Sequence, residues 1–171
     1  MSEQQFVALC LILLFIKPIC RALGRLLLRS AKRSSRRLPG QFRTRIRVID
    51  GDTVYAIANN TKIRLHGIDA PESGQAQGRH STNFLRDLTA DSDVIVKPIE
   101  FDRYGRIVAT LLRCQDSLNL NAAMVANGYA LAERRYSKEY LGLQRSAKRG
   151  NAGLWAMGKI QDPRAWRQAH R

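Results

Sequence analysis

Acidic and basic residues are grouped in three short segments of this chain. These are Asp50-Gly51-Asp52-Thr53, the run from Arg64 to Glu72, and Asp102-Arg103-Tyr104-Gly105-Arg106. Carboxylates bind hard cations such as Ca²⁺ or Mg²⁺, and planar guanidinium groups bind phosphate oxygens in pairs. Together these residue types indicate metal-assisted hydrolysis of a phosphodiester bond.

Three carboxylates are the candidates for metal binding and proton transfer. Asp52 and Asp69 are candidate ligands of a hard cation, and Gly51 is expected to let the backbone turn so that Asp52 points inward. Glu72 is a candidate general base that takes a proton from water. In isolation an Asp-Gly-Asp sequence is typical of an ordinary turn, and Glu72 of a surface acid. The hypothesis therefore depends on the three segments occurring together.

Two arginines are the candidates for binding the phosphate. Arg64 and Arg106 can each hold phosphate oxygens and stabilise negative charge in the transition state, an effect worth about 10³–10⁵ in rate in phosphoryl-transfer enzymes. The alternative is that both are exposed strand residues of a basic protein. His66 is more typical of a packed or surface histidine than of a catalyst. The three cysteines form no paired zinc-binding pattern.

The positive charge of the chain is unevenly distributed. The 171 residues carry a formal net charge of +15. Residues 1–45 contain ten Lys or Arg against one acidic residue, and residues 46–171 contain nineteen against thirteen. A basic body suits a polyanionic partner such as nucleic acid. On charge alone, a basic surface without any partner is the alternative.

The first 40 residues form a segment of their own. Residues 6–16 are uncharged and as a helix would span roughly 16 Å, against roughly 30 Å for a bilayer core. Lys17, Arg21, Arg25 and Arg29 recur every four residues along one helical face. We predict that residues 6–37 bind an anionic membrane surface as an apolar and basic helical anchor. The alternatives are a poorly ordered tail, or an export signal that would make the body secreted or periplasmic.

The remaining residues, 41–171, are predicted to form one domain after the linker-like sequence Leu38-Pro39-Gly40. Strands are predicted at residues 42–48, 54–58, 62–65, 94–99 and 107–112, with a short strand at 129–132. Helices are predicted at 77–89, 117–127 and from Ser137 to about residue 150. Pro98 suggests a sheet edge or strand end, and Trp155 is expected to cover the core. Five strands with two or three helices predict a small closed barrel.

The motifs closely resemble those of the staphylococcal nuclease (thermonuclease) family. The matching segments are residues 48–53, 64–65, 68–72, 102–106, 127–130, 135–136 and 153–155. They occur in the family's order and span about residues 41–157. The resemblance implies an α+β, mainly β fold: a five-stranded oligonucleotide-binding (OB-fold) barrel with three helices.

The resemblance also implies an activity and a set of site residues. It implies a Ca²⁺-dependent endonuclease that hydrolyses DNA and RNA and leaves 3′-phosphates and 5′-hydroxyls. Ca²⁺ would be bound by Asp52, Asp69 and the Ala70 carbonyl. Water activated by Glu72 would attack a phosphate held by Arg64 and Arg106. Substrate-binding positions would be Arg103, Tyr104 and Tyr136.

A second hypothesis is a catalytically inactive OB-fold module that binds nucleic acid while tethered to a membrane. Copies of an enzyme that lose catalysis usually lose the acids or arginines of the site. All of those residues are present here, which favours catalysis. No protein partner is predicted, and a monomer is expected.

Overall fold

The computed structural model describes residues 37–135, 138–158 and 160–170. The membrane-binding segment predicted at residues 6–37 falls almost wholly outside these ranges, so it stays a prediction, as does the domain boundary near residue 41. Tyr136 and Ser137 also lie outside the described residues. None of the helices in the described ranges combines the length and the apolar character that crossing a bilayer requires.

The described residues form eight strands, four α-helices and one 3₁₀ helix. The strands are β1 (Phe42–Thr44), β2 (Ile46–Val48), β3 (Thr53–Ala56), β4 (Thr61–Leu65), β5 (Ile68–Asp69), β6 (Val94–Phe101), β7 (Ile107–Arg113) and β8 (Leu131–Ala132). The helices are α1 (Gly78–Thr89), α2 (Leu120–Ala126), α3 (Leu141–Arg149), the 3₁₀ helix (Gly153–Met157) and α4 (Pro163–Ala169).

A bend at Arg45 closes the main sheet into a barrel. The strand order is β1-β6-β7-β4-β3-β2, so β1 and β2 stand at opposite ends of it. Only Arg45 separates these two strands in the chain, which brings the ends of the sheet together. The predicted run 42–48 is thus one bent strand shared by both ends. Counted in this way, the predicted mainly β, five-stranded OB-type barrel is confirmed.

Most strand predictions are close to the observed bounds, but the strand predicted at residues 94–99 is longer than expected. β6 does not end near Pro98 and continues to Phe101. Its partner β1 pairs with β6 only as far as Val96, so the missing N–H of Pro98 costs no bond to β1. A register shift between Pro98 and Glu100 accommodates the irregularity. Pro98 therefore marks the place where β6 becomes an edge.

The helices differ more from the prediction. α2 begins at Leu120, because the Asn119 side chain accepts a hydrogen bond from the N–H of Ala122 and caps the helix there. α3 begins at Leu141, after the N-cap residue Tyr140. α4 was not predicted, although Asp162 followed by Pro163 is a standard helix start.

The core lies between the barrel strands and the helices packed on them. Its largest fully buried side chains are Val54, Ile63, Leu65, Ile68, Leu85, Val94, Val96, Leu111, Leu120, Met124, Tyr140 and Leu154. Trp155 is half-buried beside Gly128, where an added Cβ would lie 2.9 Å from its ring. The expectation that Trp155 covers the core thus fits its position.

One buried amide fastens α2 to the barrel. Asn121 is fully buried, and its Oδ1 accepts a hydrogen bond from the Leu111 N–H at 3.0 Å. Its Nδ2 donates to the carbonyls of His66 at 2.9 Å and Ala109 at 3.1 Å. These bonds fix the chain where β4 ends, immediately before β5.

We expect Asn121→Leu to lower the free energy of unfolding by about 1–3 kcal/mol, because it leaves the buried Leu111 N–H without a partner. Guanidinium unfolding of the full-length chain, followed by tryptophan fluorescence, measures this. The control is Asn83→Leu at an exposed position of α1, with an expected change within about 0.5 kcal/mol. Equal effects of the two variants would contradict a special role for Asn121.

Candidate active site

Asp52 immediately precedes β3, at the end of the tight connection from β2. The Asp52 N–H donates to Asp50 Oδ1 at 3.0 Å, and the N–H of Ile49 donates to the Thr53 carbonyl at 3.0 Å. A Cβ at Gly51 would lie 1.9 Å from Ser81 Oγ and 2.7 Å from Ala70 Cβ. Gly51 has no positive φ. The chain bends at residues 50–52 as expected, but glycine is required there for space and not for a positive φ.

Arg64 joins the two candidate metal ligands. Asp52 and Asp69 are only 2% and 4% exposed. Arg64 Nη1 donates to Asp52 Oδ1, and Nη2 donates to Asp69 Oδ1 at 2.7 Å. The Ala70 N–H donates to Asp52 Oδ2 at 2.8 Å. The structure therefore brings Asp52, Arg64, Asp69 and Ala70 together.

Burial sets the electrostatics of this group. It raises the pKa of Asp52 to about 7, although the charge of Arg64 opposes the shift. Burial alone would lower the pKa of Arg64, but Asp52 and Asp69 outweigh it and raise that pKa. The guanidinium is thus always charged, while Asp52 can hold a proton near neutral pH. A second positive charge near Asp52 would favour its ionised form.

Glu72 is placed by the loop that follows β5. Its backbone N–H donates to Gln75 Oε1 at 2.7 Å, and its carbonyl accepts from the Gln75 N–H at 2.8 Å. Gln75 is 6% exposed, and its Nε2 donates to the carbonyl of Gln161 at 3.2 Å. The loop is therefore held from both sides, which fixes the backbone that carries Glu72.

Arg167, on α4, is the site residue that sequence reasoning missed. Its Nη1 contacts Glu72 Oε1 at 2.5 Å and Asp69 Oδ1 at 3.1 Å, while Nη2 contacts Asp69 Oδ2 at 3.0 Å. Asp162-Pro163 is a sequence signal for α4 itself. No local signal shows that a side chain 98 residues beyond Asp69 returns to it.

The third segment forms a separate cluster around Asp102. Asp102 Oδ1 accepts from the N–H groups of Tyr104 at 2.8 Å and Arg106 at 2.9 Å, and Oδ2 accepts from Arg106 Nε at 2.6 Å. Gly105 has a φ of 79°, which this tight turn requires. Partial burial raises the pKa of Asp102, but its bonds with Arg106 outweigh this and lower the pKa.

Tyr104 is the exposed part of this second cluster. It is 66% exposed, and the guanidinium carbons of Arg103 and Arg106 lie 4.8 Å and 5.5 Å from its ring centroid. An exposed aromatic ring with two cations suits contact with bases and phosphates. In the described part of the chain, no hydrogen bond or ion pair joins this cluster to Asp52, Asp69 or Glu72.

The sheet nevertheless relates the positions of the two arginines, because Arg64 is in β4 and Arg106 immediately precedes β7. β4 and β7 are parallel, with Arg64 opposite Val108, two residues after Arg106. Because side chains alternate along a strand, Arg106 extends from the side on which Arg64 lies. Tyr136 is outside the described residues, so its predicted place in a nucleotide pocket stays a prediction.

The group formed by Asp52, Arg64, Asp69 and Ala70 is the first cluster, and its donor chemistry fits a hard divalent cation. Two buried carboxylates share one guanidinium, so they face a common point that stabilises positive charge. Among the described residues, no three or more His, Cys, Asp or Glu side chains are arranged as a metal site. The oxygens that such an ion prefers are offered here by the carboxylates of Asp52 and Asp69.

Comparison with known proteins agrees with the fold and the motifs. Residues 62–157 match the family described as "Staphylococcal nuclease homologue". A micrococcal nuclease of Shigella flexneri is 39% identical over 137 residues, covering 72% of this chain and 79% of that protein. An endonuclease of Escherichia coli, itself named as uncharacterized, is 36% identical over 126 residues, covering 71% and 82%.

A plant relative matches over a smaller part of its own length. A probable staphylococcal-like nuclease of Oryza sativa subsp. japonica is 36% identical over 117 residues, which covers 67% of this chain and 30% of that protein. The chain belongs to the staphylococcal nuclease family, as its motifs predicted. The matched range contains Arg64, Asp69, Glu72 and Arg106, whereas Asp52 precedes it and Arg167 follows it.

We expect Arg64→Met to destabilise the metal-free protein by about 3–5 kcal/mol at pH 8, because it leaves the buried Asp52 carboxylate without a cation beside it. The loss is expected to be smaller at pH 5. The folded-state pKa of Asp52 is above its unfolded value and rises further without Arg64. Both proteins lose stability as pH rises above the unfolded pKa of Asp52. The wild type stops losing it at its folded pKa of about 7, whereas the variant continues to its own higher pKa, so the difference between them appears above pH 7.

Guanidinium unfolding in EGTA at the two pH values measures this difference. The control is Arg43→Met, which breaks an exposed ion pair with Asp93 and should change stability little at either pH. An equal cost of Arg64→Met at pH 5 and pH 8 would show that Asp52 does not take up a proton in this range.

Proposed function

We propose that this protein is a Ca²⁺-dependent endonuclease that hydrolyses phosphodiester bonds of DNA and RNA. One observation carries the proposal: Asp52 from one segment, and Asp69 and Glu72 from another, meet around the guanidinium groups of Arg64 and Arg167. Membership of a family whose relatives are named as nucleases supports the reaction class. The products expected from the family are 3′-phosphates and 5′-hydroxyls.

The first cluster would hold the metal. Carboxylate and carbonyl oxygens are the ligands that Ca²⁺ prefers, and Asp52, Asp69 and Ala70 offer them. A bound Ca²⁺ supplies Lewis-acid stabilisation of negative charge on the phosphate. The burial that makes ionised Asp52 unfavourable in the metal-free protein becomes compatible with a dication beside it.

The residues of the chain have separate roles in the proposed reaction. Glu72 takes the proton of the attacking water, and its rigid loop keeps the carboxylate in place. Arg64 is adjacent to both metal ligands, so its guanidinium is positioned to bind a non-bridging phosphate oxygen. Arg106 binds a second oxygen, and Asp102 orients its side chain.

The second cluster would contact the nucleic acid beside the cleaved bond. Tyr104 offers an exposed ring and Arg103 a cation, neither of which selects one base. Tyr136 is proposed to border the nucleotide. Membrane association through residues 6–37 stays a separate prediction and does not enter the reaction.

Incubation of the full-length protein with single-stranded DNA tests the proposal, with Ca²⁺ in one reaction and EGTA in the other. We expect cleavage only with Ca²⁺. We expect Glu72→Gln to slow it by about 10²–10⁴ while DNA binding is retained, because the general base is lost. Glu100→Gln, on an exposed position of β6, is the control that should cleave normally.

Two results would contradict this reading in different ways. DNA binding without any cleavage by the wild-type protein would favour the inactive binding module. Full activity of Glu72→Gln would show that another group takes the proton.

Affinity for Ca²⁺ should also depend on pH. Because a proton and the cation compete for Asp52, whose pKa is raised to about 7, affinity should increase with pH through this range. The Asp52 carboxyl is mostly protonated at pH 6 and mostly ionised at pH 8. We therefore expect Ca²⁺ to bind about tenfold more tightly at pH 8 than at pH 6. Calorimetric titration at the two values measures it. Equal affinity would mean that Asp52 is ionised throughout, or is not a ligand.

A further inference from the structure

Arg167 occupies the carboxylate oxygens that the proposed function assigns to metal and water. Its two Nη atoms contact both oxygens of Asp69, at 3.1 Å and 3.0 Å. Nη1 also contacts Glu72 Oε1 at 2.5 Å. One side chain thus covers the candidate ligand and the candidate general base at once.

The position of Arg167 is fixed by the packing of α4. Asp162 caps this helix, with Oδ1 accepting from the N–H of Arg164 at 2.8 Å, and Pro163 is buried. The ring of Trp166 lies against Gly74, where an added Cβ would be 3.0 Å from Cη2.

A hydrogen bond between Gln75 and Gln161 also connects the loop that carries Glu72 to the segment before α4. The packing of α4 therefore places the Arg167 side chain at the site.

A cation and Arg167 cannot both use Asp69 in this way. Each Asp69 oxygen already accepts from Arg167, and Oδ1 accepts from Arg64 as well. A dication coordinated by Asp69 would stand next to these guanidinium groups, and like charges at contact distance repel. Withdrawal of one guanidinium from Asp69 would relieve this repulsion when a metal ion binds.

Arg167 is the one that can withdraw more easily. Its side chain is 35% exposed, against 20% for Arg64, so it loses less by moving into water. Arg64 is additionally bound to Asp52 and would remain beside the metal ligands. Movement of Arg167 would also release Glu72 for contact with water.

We infer that Arg167 is a positioning residue that holds Asp69 and Glu72 in the metal-free protein and competes with the divalent cation for them. This inference rests on the proposed function, because it needs Asp69 to be a ligand. It adds a residue beyond the range that matches the family, residues 62–157. While Arg167 is bound to Asp69 and Glu72, it keeps both carboxylates in place. When it withdraws, Asp69 becomes available to the metal ion and Glu72 to water.

Calorimetric titration of the full-length protein with Ca²⁺ tests the competition. We expect Arg167→Gln to bind Ca²⁺ about tenfold more tightly than wild type, because a charge-assisted ion pair no longer has to break. Arg167→Lys keeps the charge without the two-pronged contact and should fall between them. Arg164→Gln removes the same charge from the same helix and forms no ion pair among the described residues, so its affinity should stay within about twofold.

The results separate this inference from the proposed function. Affinity of Arg167→Gln equal to or weaker than wild type would overturn the competition, as would equal tightening in Arg164→Gln. If the wild type still cleaves DNA only with Ca²⁺, the nuclease proposal survives that failure. No Ca²⁺ binding by either wild type or Arg167→Gln would overturn both.

A measurement on the wild-type protein covers the case in which Arg167→Gln fails to fold. The side-chain Nε–H signal of Arg167 can be observed by nuclear magnetic resonance and assigned by its absence in Arg167→Lys. Saturation with Ca²⁺ should move this signal to the position of a solvent-exposed arginine. A signal that is unchanged by Ca²⁺ would overturn the inference.

Discussion

Two carboxylates buried almost side by side need positive charge beside them, and the architecture of the site follows from this requirement. Asp52 and Asp69 are withdrawn from water, which makes their ionised forms costly unless a cation is near. Arg64 and Arg167 provide the charge. The same demand makes the place suitable for a dication, because the protein already stabilises positive charge there.

The closed barrel is what brings the charged residues into register. β4 lies between β3 and β7, so Arg64 has the strand that begins after Asp52 on one side and the strand that begins after Arg106 on the other. Asn121 secures the end of β4 from inside the core, and β5 then carries Asp69. A shift of one residue in this sheet would turn Arg64 to the opposite face and separate it from both carboxylates.

Local motifs were enough to predict the barrel and the first cluster, because Asp52, Arg64, Asp69 and Glu72 are positioned by short segments with strong turn and strand signals. What the sequence did not predict depends on contacts between distant segments. Gly51 is needed because Ser81 packs against it, and Arg167 reaches Asp69 only through the folded position of α4. Contacts between distant segments cannot be recognised from the local periodicity of the sequence.

The bend at Arg45 has a consequence for the order of folding. β2, β3 and β4 are neighbours in the chain and can pair early as a meander, whereas β1 finds its partner only in β6, with Phe42 opposite Val96. Closing so long a loop costs chain entropy before any bond repays it. Because β1 is continuous with β2 of the meander, we expect the pairing of β1 with β6 to close the barrel in one late step. We expect that step to limit the rate of folding and to leave an open sheet edge exposed until it is complete.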